Sequence, residues 1–331
     1  MRSFAADRAG EHPGMRAVID GERLKNILRI AATAGFSAGA ALKVADTSAE
    51  FRAFFEQYLA RGDHADLAYL EGPQRFDLRS ILPGAQTLLL FRYPYRFHEV
   101  DAKLRSAPYK IARYAWQKDY HVTLKAKLAD VMQRAQVTGR AVTDSAPLAE
   151  RYWARLAGLG KIGRSGMLIA EEAGSYFLIA ALLTTEPLSV DLALPKTAAP
   201  VAQDIEKICG TCNLCVDACP TGALTGDGLM HTHKCISYQT IERRDNEVDV
   251  SLYKKRHRWV FGCDVCQQVC PHNKTLASFA AAEFNDEHPA AEQIAAGMLP
   301  ASRSALKVSS FYRRGIAKLA ANLHALSSDG A

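Results

Sequence analysis

The chain has 331 residues, a formal net charge of +6, 48% hydrophobic and 23% charged residues. That length holds two domains, or one large domain with an appendage, and the composition is that of a globular protein rather than a disordered or fibrous one. The charge is too slight to argue a nucleic-acid partner by itself. The longest apolar stretch, Phe177-Leu-Ile-Ala-Ala-Leu-Leu183, falls well short of the roughly 20 residues of a membrane helix, so no membrane partner is expected.

Residues 1–18 read as a loose tail without the apolar core of a signal peptide. Residues 21–35 place Leu24, Ile27, Leu28 and Ile30 at helical spacing, and 48–59 predict a second helix capped by Ser48. A turn at Leu82-Pro83-Gly84-Ala85 precedes the apolar run 87–91, a predicted core strand. Helix is predicted again over 120–137 and 147–157, and strand over 141–143, 167–170 and 176–184. Residues 195–201 read as a Pro/Ala linker, and 311–326 as a basic C-terminal helix. The alternation predicts an α/β (α+β) domain over 1–200, followed by a cysteine-rich, ferredoxin-like domain over 201–280 and a short helical segment over 281–331.

All eight cysteines lie between Cys209 and Cys270. The run Cys209-Gly-Thr-Cys212-Asn-Leu-Cys215-Val-Asp-Ala-Cys219-Pro220 is the bacterial ferredoxin pattern, in which the fourth cysteine ligates the other cluster. The run Cys263-Asp-Val-Cys266-Gln-Gln-Val-Cys270-Pro271 lacks the first cysteine of that pattern, and Cys235 is left to fill the gap. Two [4Fe-4S] clusters are expected, one on Cys209, Cys212, Cys215 and Cys270, the other on Cys219, Cys235, Cys263 and Cys266. Structural zinc and disulfides are the bland readings; the spacing before proline argues against the first, and chain size against the second. Exposed clusters need a thiol-preserving compartment, so the cytoplasm is expected.

Other motifs read two ways. Gly158-Leu-Gly160-Lys-Ile-Gly163 matches a dinucleotide fingerprint, but a helix precedes it and a strand follows, the reverse of that motif's context, so a close-packed glycine turn reads better. Asp144, in Val-Thr-Asp-Ser-Ala-Pro, is either a helix N-cap or an acid in a cleft that donates a proton. The segment from Arg113 to His121 interleaves aromatics with charges, as a base-stacking surface does and as a half-buried helix start also does. Lys254-Lys255-Arg256-His257-Arg258 and Arg313-Arg314 are solvated faces or nucleic-acid contacts.

Taken in order, several segments resemble the epoxyqueuosine reductases, cobalamin-dependent enzymes of the last step of queuosine synthesis in tRNA. They are Arg-Tyr-Ala-Trp-Gln-Lys-Asp-Tyr-His, Thr-Asp-Ser-Ala-Pro-Leu-Ala-Glu-Arg, Ala-Gly-Leu-Gly-Lys-Ile-Gly, Gly-Ser-Tyr-Phe-Leu, Pro-Thr-Gly-Ala-Leu, Lys-Cys-Ile-Ser-Tyr and Gly-Cys-Asp-Val-Cys-Gln-Gln-Val-Cys-Pro. The resemblance implies that the N-terminal domain holds base-off cobalamin beside a cluster. Electrons would come from a flavodoxin or ferredoxin, with cluster potentials at the low end of a range of roughly −700 to +450 mV. It implies a tRNA anticodon loop as substrate, with the wobble base turned out. It makes Asp144 the proton donor. It also puts Arg75, Leu168, Ile179, Ser237 and Asp264, with Asp144, at the cobalamin, and Arg243 at the tRNA. A monomer is expected. Arg164-Ser165 stands where the family often has Lys-Asn, and Ala321-Asn322 where it has Arg-Asn. Two alternatives stand against this: a related corrinoid reductase of a small molecule, like a reductive dehalogenase, and a plain two-cluster electron carrier, which does not need the residues before the clusters.

Overall fold

The structure, a computed structural model, describes residues 18–95, 98–190, 200–245, 249, 251, 257–274 and 287–327. The predicted linker and Lys254, Lys255 and Arg256 of the basic cluster lie wholly or mostly outside these residues. In chain order the first strands are β1 (Ala38–Lys43), β2 (Thr87–Pro94), β3 (Lys110–Ile111) and β4 (Arg140–Val142). They are followed by β5 (Lys161–Ile162), β6 (Leu168–Ile169), β7 (Phe177–Thr184) and β8 (Trp259–Phe261). The helices up to the cysteine region are α1 (Gly21–Thr33), α2 (Ala49–Ala60), α3 (His98–Ser106), α4 (Tyr120–Ala135), α5 (Glu150–Leu156), α6 (Val201–Cys209) and α7 (Leu214–Asp217).

The apolar run in β2 forms a strand buried on both faces, next to the centre of a four-stranded sheet in the order β1-β2-β7-β4. Residues alternate across it. Leu88 and Leu90, with Ala181 and Leu183 of β7, pack on Tyr152 and Trp153 of α5. Leu89 and Phe91, with Ala180 and Leu182, pack on Ile27 of α1 and Leu124, Leu128 and Val131 of α4. Helical layers on both faces explain why these strands read as continuous apolar runs rather than alternating ones. Every pairing in this sheet is antiparallel, with Leu88 opposite Leu183 and Ala40 opposite Leu90. The domain is thus of the α+β kind. After β1, α2 stacks its Phe51 on Tyr152, 4.2 Å between ring centroids, and the chain returns beside β1 in the opposite direction.

Local signals set the helix starts. Asp20 accepts from the Arg23 N–H at 2.9 Å, and Ser48 from the Phe51 N–H at 3.2 Å, each satisfying an orphan donor of the first turn. A third core joins Tyr95, Trp116, Trp259, Phe261 and Phe311 to Leu319 and Leu323 of the C-terminal helix Gly315–Ser327. Here β3 runs parallel to β8. Asn322 is fully buried and donates to the Thr240 and Val260 carbonyls, 3.0 Å each, fastening that helix to the segment that follows Cys235. Among the described residues no helix is long and apolar enough to cross a membrane.

Candidate active site

The cysteines come together from three chain segments, 209–219, 235 and 263–270. α6 ends at Cys209, Gly210 turns the chain at φ +53, and α7 carries Cys215. Cys266 lies in a short helix, Val265–Gln268, and Cys270 directly precedes another, Pro271–Lys274. Cys235 follows the turn Thr232–Lys234 and precedes the π-helical turn Tyr238–Glu242. A cavity of about 190 Å³ is lined by Cys209, Cys212, Cys215 and Cys270, with Cys266 beside them. Burial, then the Cys209 and Cys270 thiols, pushes the Cys215 thiol up to about 11. The other four influence one another: burial comes first, then Cys219 raises Cys235, and Cys266 and Cys235 raise Cys263. Cys266 is raised by burial, then by Cys235 among others, and also feels Cys215, so the two groups are neighbours.

Crowded thiols that resist ionisation are relieved when iron takes the negative charge, so the donor sets fit two clusters. N–H groups add to the fit. Arg164 donates its backbone N–H to Cys209 Sγ at 3.5 Å, and Ala223 to Cys219 Sγ at 3.3 Å. Burial pushes the Cys219 thiol up, but the N–H groups of Thr221, Ala223 and Leu224 together outweigh it and hold the thiol below its usual range. Among the described residues no three His, Cys, Asp or Glu side chains gather tightly enough for a single metal ion; a four-iron cubane is wider and asks for looser spacing.

Asp144 sits in a left-handed turn at φ +45, a conformation a non-glycine residue holds only under strain. It is no helix cap: α5 begins at Glu150, its cap position is Ala149, and no side chain bonds there. The turn instead presents the carboxylate outward, about two-thirds exposed. Tyr120 donates its hydroxyl to Asp144 Oδ2 at 2.6 Å, and burial, then the Asp144 charge, drives that phenol far above its usual range. His121 stacks on Tyr120, 4.1 Å between centroids, and brings Nε2 to 3.8 Å from the same oxygen. Behind Asp144 lies a second carboxyl, Glu150, with Oε1 buried and bonded to nothing in the protein. Burial first, then the Asp144 charge, pushes Glu150 up to about 7, against the pull of its own N–H, Arg75 and Arg151. Arg75 Nε is also buried without a partner, and burial lowers the guanidinium against the carboxylates of Glu150 and Asp144.

Two tyrosines feel the charges of this region. Tyr114, half-buried, is raised far above its usual range by burial, then by Glu242, Asp264 and Asp144; Tyr95, buried, is raised by burial, then by Asp264, and also feels Cys266.

The remaining expected residues lie in varied settings. Leu168 is buried on β6, and Ile179 is half-buried on β7 opposite Arg92. Ser237 donates its backbone N–H to Cys235. Asp264 is fully buried, and its Oδ2 accepts from the Arg113 backbone at 2.8 Å and guanidinium at 3.1 Å. Arg243 binds Asp245 at 2.6 Å and the Gln239 side chain at 3.2 Å. Of the aromatic segment, Arg113 and Trp116 are interior, so they cannot stack bases; Tyr114, Tyr120 and His121 face the cleft. Arg313 and Arg314 both pair with Glu242. In the glycine stretch β5 follows α5, and a Cβ on Gly160 would lie 2.8 Å from the Ile169 carbonyl, so close packing accounts for that glycine. Arg164 and Ser165 line the cavity of Cys209, and the Arg164 guanidinium donates to the Gly210 and Gly226 carbonyls. Sequence reasoning did not single out Glu150, Tyr120 or His121 as parts of the Asp144 site, although all three lie in the motifs quoted above.

Fold and site together define a class: a two-cluster iron–sulfur oxidoreductase with an acidic cleft. A family model described as a 4Fe-4S double cluster binding domain matches residues 208–273, and one described as epoxyqueuosine reductase QueG, DUF1730, matches residues 75–145. The epoxyqueuosine reductase of Synechococcus sp. (strain RCC307) is 39% identical over 234 residues, 69% of this chain and 68% of the relative. That of Leadbetterella byssophila is 38% identical over 273 residues, 78% of this chain and 83% of the relative. A crystal structure of epoxyqueuosine reductase with a tRNA-Tyr epoxyqueuosine-modified stem loop superposes with a TM-score of 0.76 at 23% identity, covering 93% of this chain and 81% of that one. The chain belongs to the epoxyqueuosine reductase family, and it is an oxidoreductase with two four-iron clusters. Its α/β domain, ferredoxin-like cluster region and short C-terminal helices are that family's fold.

Proposed function

We propose that the protein reduces epoxyqueuosine in the wobble position of a tRNA anticodon loop to queuosine. The observation that carries this reading is the outward-facing Asp144 carboxyl, held by Tyr120 on a chain that also gathers the two cysteine groups. The relative solved with a modified tRNA stem loop supports the substrate. Cobalamin, held base-off, would supply a strongly reducing cobalt centre. The orphaned Arg75 Nε suits such a polar, amide-rich ligand, and Leu168, Ile179 and Ser237 would line its seat. Asp264, tied to Arg113, would hold the adjoining loop in place.

Asp144 would protonate the epoxide oxygen. The strained turn aims the carboxyl, and Tyr120 fixes one of its oxygens. A docked base would exclude water from it. Arg243 would meet the tRNA backbone. Electrons would come from a flavodoxin or ferredoxin, and the protein would act as a monomer. Such chemistry belongs in the cytoplasm.

The test is turnover of epoxyqueuosine-bearing tRNA by anaerobically reconstituted protein loaded with cobalamin. Queuosine should form, and Asp144→Asn should keep clusters and cobalamin while losing turnover. Wild-type protein that binds cobalamin yet leaves epoxyqueuosine intact would refute the reading, as would full turnover by Asp144→Asn.

A further inference from the structure

The inference here rests on the substrate proposed above. Converting an epoxide to an alkene and one water consumes two electrons and two protons, and both protons end on the same oxygen. One carboxylic acid carries one proton. Asp144 gives the first and must be reloaded while the docked nucleoside lies against its exposed carboxylate. A proton held within the protein would do this.

Two groups contact an Asp144 oxygen, Tyr120 and His121, while Glu150 acts on it through charge. Tyr120 already bonds Oδ2, but burial beside the Asp144 charge makes its phenol a poor proton source. His121 is built differently. Its Nδ1 lies 2.7 Å from Asp119 Oδ1, and its backbone N–H donates to the same oxygen at 3.0 Å. Burial pushes Asp119 up, but those bonds from His121 outweigh it and hold the carboxyl below its usual range, so Asp119 stays anionic. Asp119 is itself anchored by its N–H to the Val308 carbonyl at 2.7 Å. Val308, a β-branched residue, holds that carbonyl from a left-handed φ of +63. The other ring nitrogen, Nε2, is buried, has no hydrogen-bond partner in the protein, and points at Asp144 Oδ2 from 3.8 Å. The charged groups around the ring are Asp119, Asp144 and, facing Asp119, Arg313.

We propose that His121 is the positioning residue that reprotonates Asp144 within the turnover. After Asp144 has protonated the epoxide oxygen, the Nε2–H of the imidazolium passes its proton to the Asp144 carboxylate. The ring becomes neutral and keeps its Nδ1–H on Asp119. Asp144 then gives the second proton to the same oxygen, which leaves as water, while the two electrons come through the clusters. His121 reloads from solvent when product departs. The 3.8 Å gap is wider than a hydrogen bond and closes when the docked base presses on the Asp144 turn, as catalytic hydrogen bonds often tighten only in the complex.

The experiment compares wild type, His121→Gln and Asp119→Asn as cobalamin- and cluster-loaded enzymes on an epoxyqueuosine stem loop between about pH 6 and 9. For His121→Gln, kcat should fall about 100-fold with KM unchanged, and added imidazole should restore part of the rate. For Asp119→Asn, loss of the carboxylate that orients Nδ1 should likewise lower kcat with KM unchanged. Stem-loop affinity and the cluster spectrum report folding independently of rate. A His121→Gln enzyme with wild-type kcat overturns the proposal, as does a loss confined to KM. If His121→Gln does not fold, the kcat of Asp119→Asn decides. Wild-type protein that fails on this substrate overturns the substrate reading instead.

Discussion

Replacing Glu150 by glutamine should stabilise the protein by an amount that grows with pH. Glu150 Oε1 is buried without a partner, and burial, then the Asp144 charge, raises its carboxyl from 4.5 to about 7. Between those values the folded chain holds a proton that the unfolded chain has already released. Stability therefore falls as pH rises through that window. At about 1.4 kcal/mol for each pH unit, the penalty reaches about 3 kcal/mol above pH 7. Glutamine has the same shape and no charge to desolvate, so it escapes the penalty. Below pH 4.5 both side chains are neutral and the two proteins should melt together, apart from a constant offset from the amide. The assay is anaerobic thermal unfolding of both iron-loaded proteins at pH 5, 6, 7 and 8, read as the difference in midpoint. That difference should open by several degrees across the series, given that about 1 kcal/mol moves Tm by roughly 2–4 °C in a chain of 150–250 residues. Parallel curves with a pH-independent offset would refute the reasoning, because they would mean that Glu150 is ionised at little cost.

Two further outcomes follow from the cluster geometry. Cys235→Ser should lower iron from about eight to about four per chain in an anaerobic assay, because Cys235 groups with Cys219, Cys263 and Cys266 and not with the cavity of Cys209; retention of all the iron would contradict that grouping. Arg164→Ala should lower the potential of the Cys209 cluster by on the order of 50 mV, because a guanidinium beside a cluster favours the more negative, reduced form. An EPR-monitored redox titration in which both cluster potentials stay in place would count against it.

Sequence alone was most informative where the physics is local. Asp20 and Ser48 cap α1 and α2 through a side chain and an N–H three residues on, so a short window contains the whole interaction. The eight cysteines and their spacing counted the ligands for two clusters because three bind from a single loop. The reversed context of the glycine stretch was also readable, since helix and strand flank it directly. β1 and β8 were not legible: Ala-Gly-Ala-Ala-Leu-Lys has no alternation of its own, and pairing with β2 makes it a strand. Nor was the antiparallel sheet, because strand direction depends on how distant segments return, not on their periodicity.

The site divides the same way. Residue types in order identified the family and pointed to the eight cysteines and to Asp144 as the residues to test. Tertiary structure alone decided what surrounds that acid. Tyr120 and His121 reach Asp144 from 24 and 23 positions earlier in the chain, and Val308 holds Asp119 from nearly two hundred positions away. The pKa of Glu150 depends on burial and on the charges of Asp144 and Arg75, the last of which lies 75 positions earlier in the chain. Ligand identity is a property of residue type and short spacing; proton affinity is a property of dielectric and distance, and those exist only once the chain has folded.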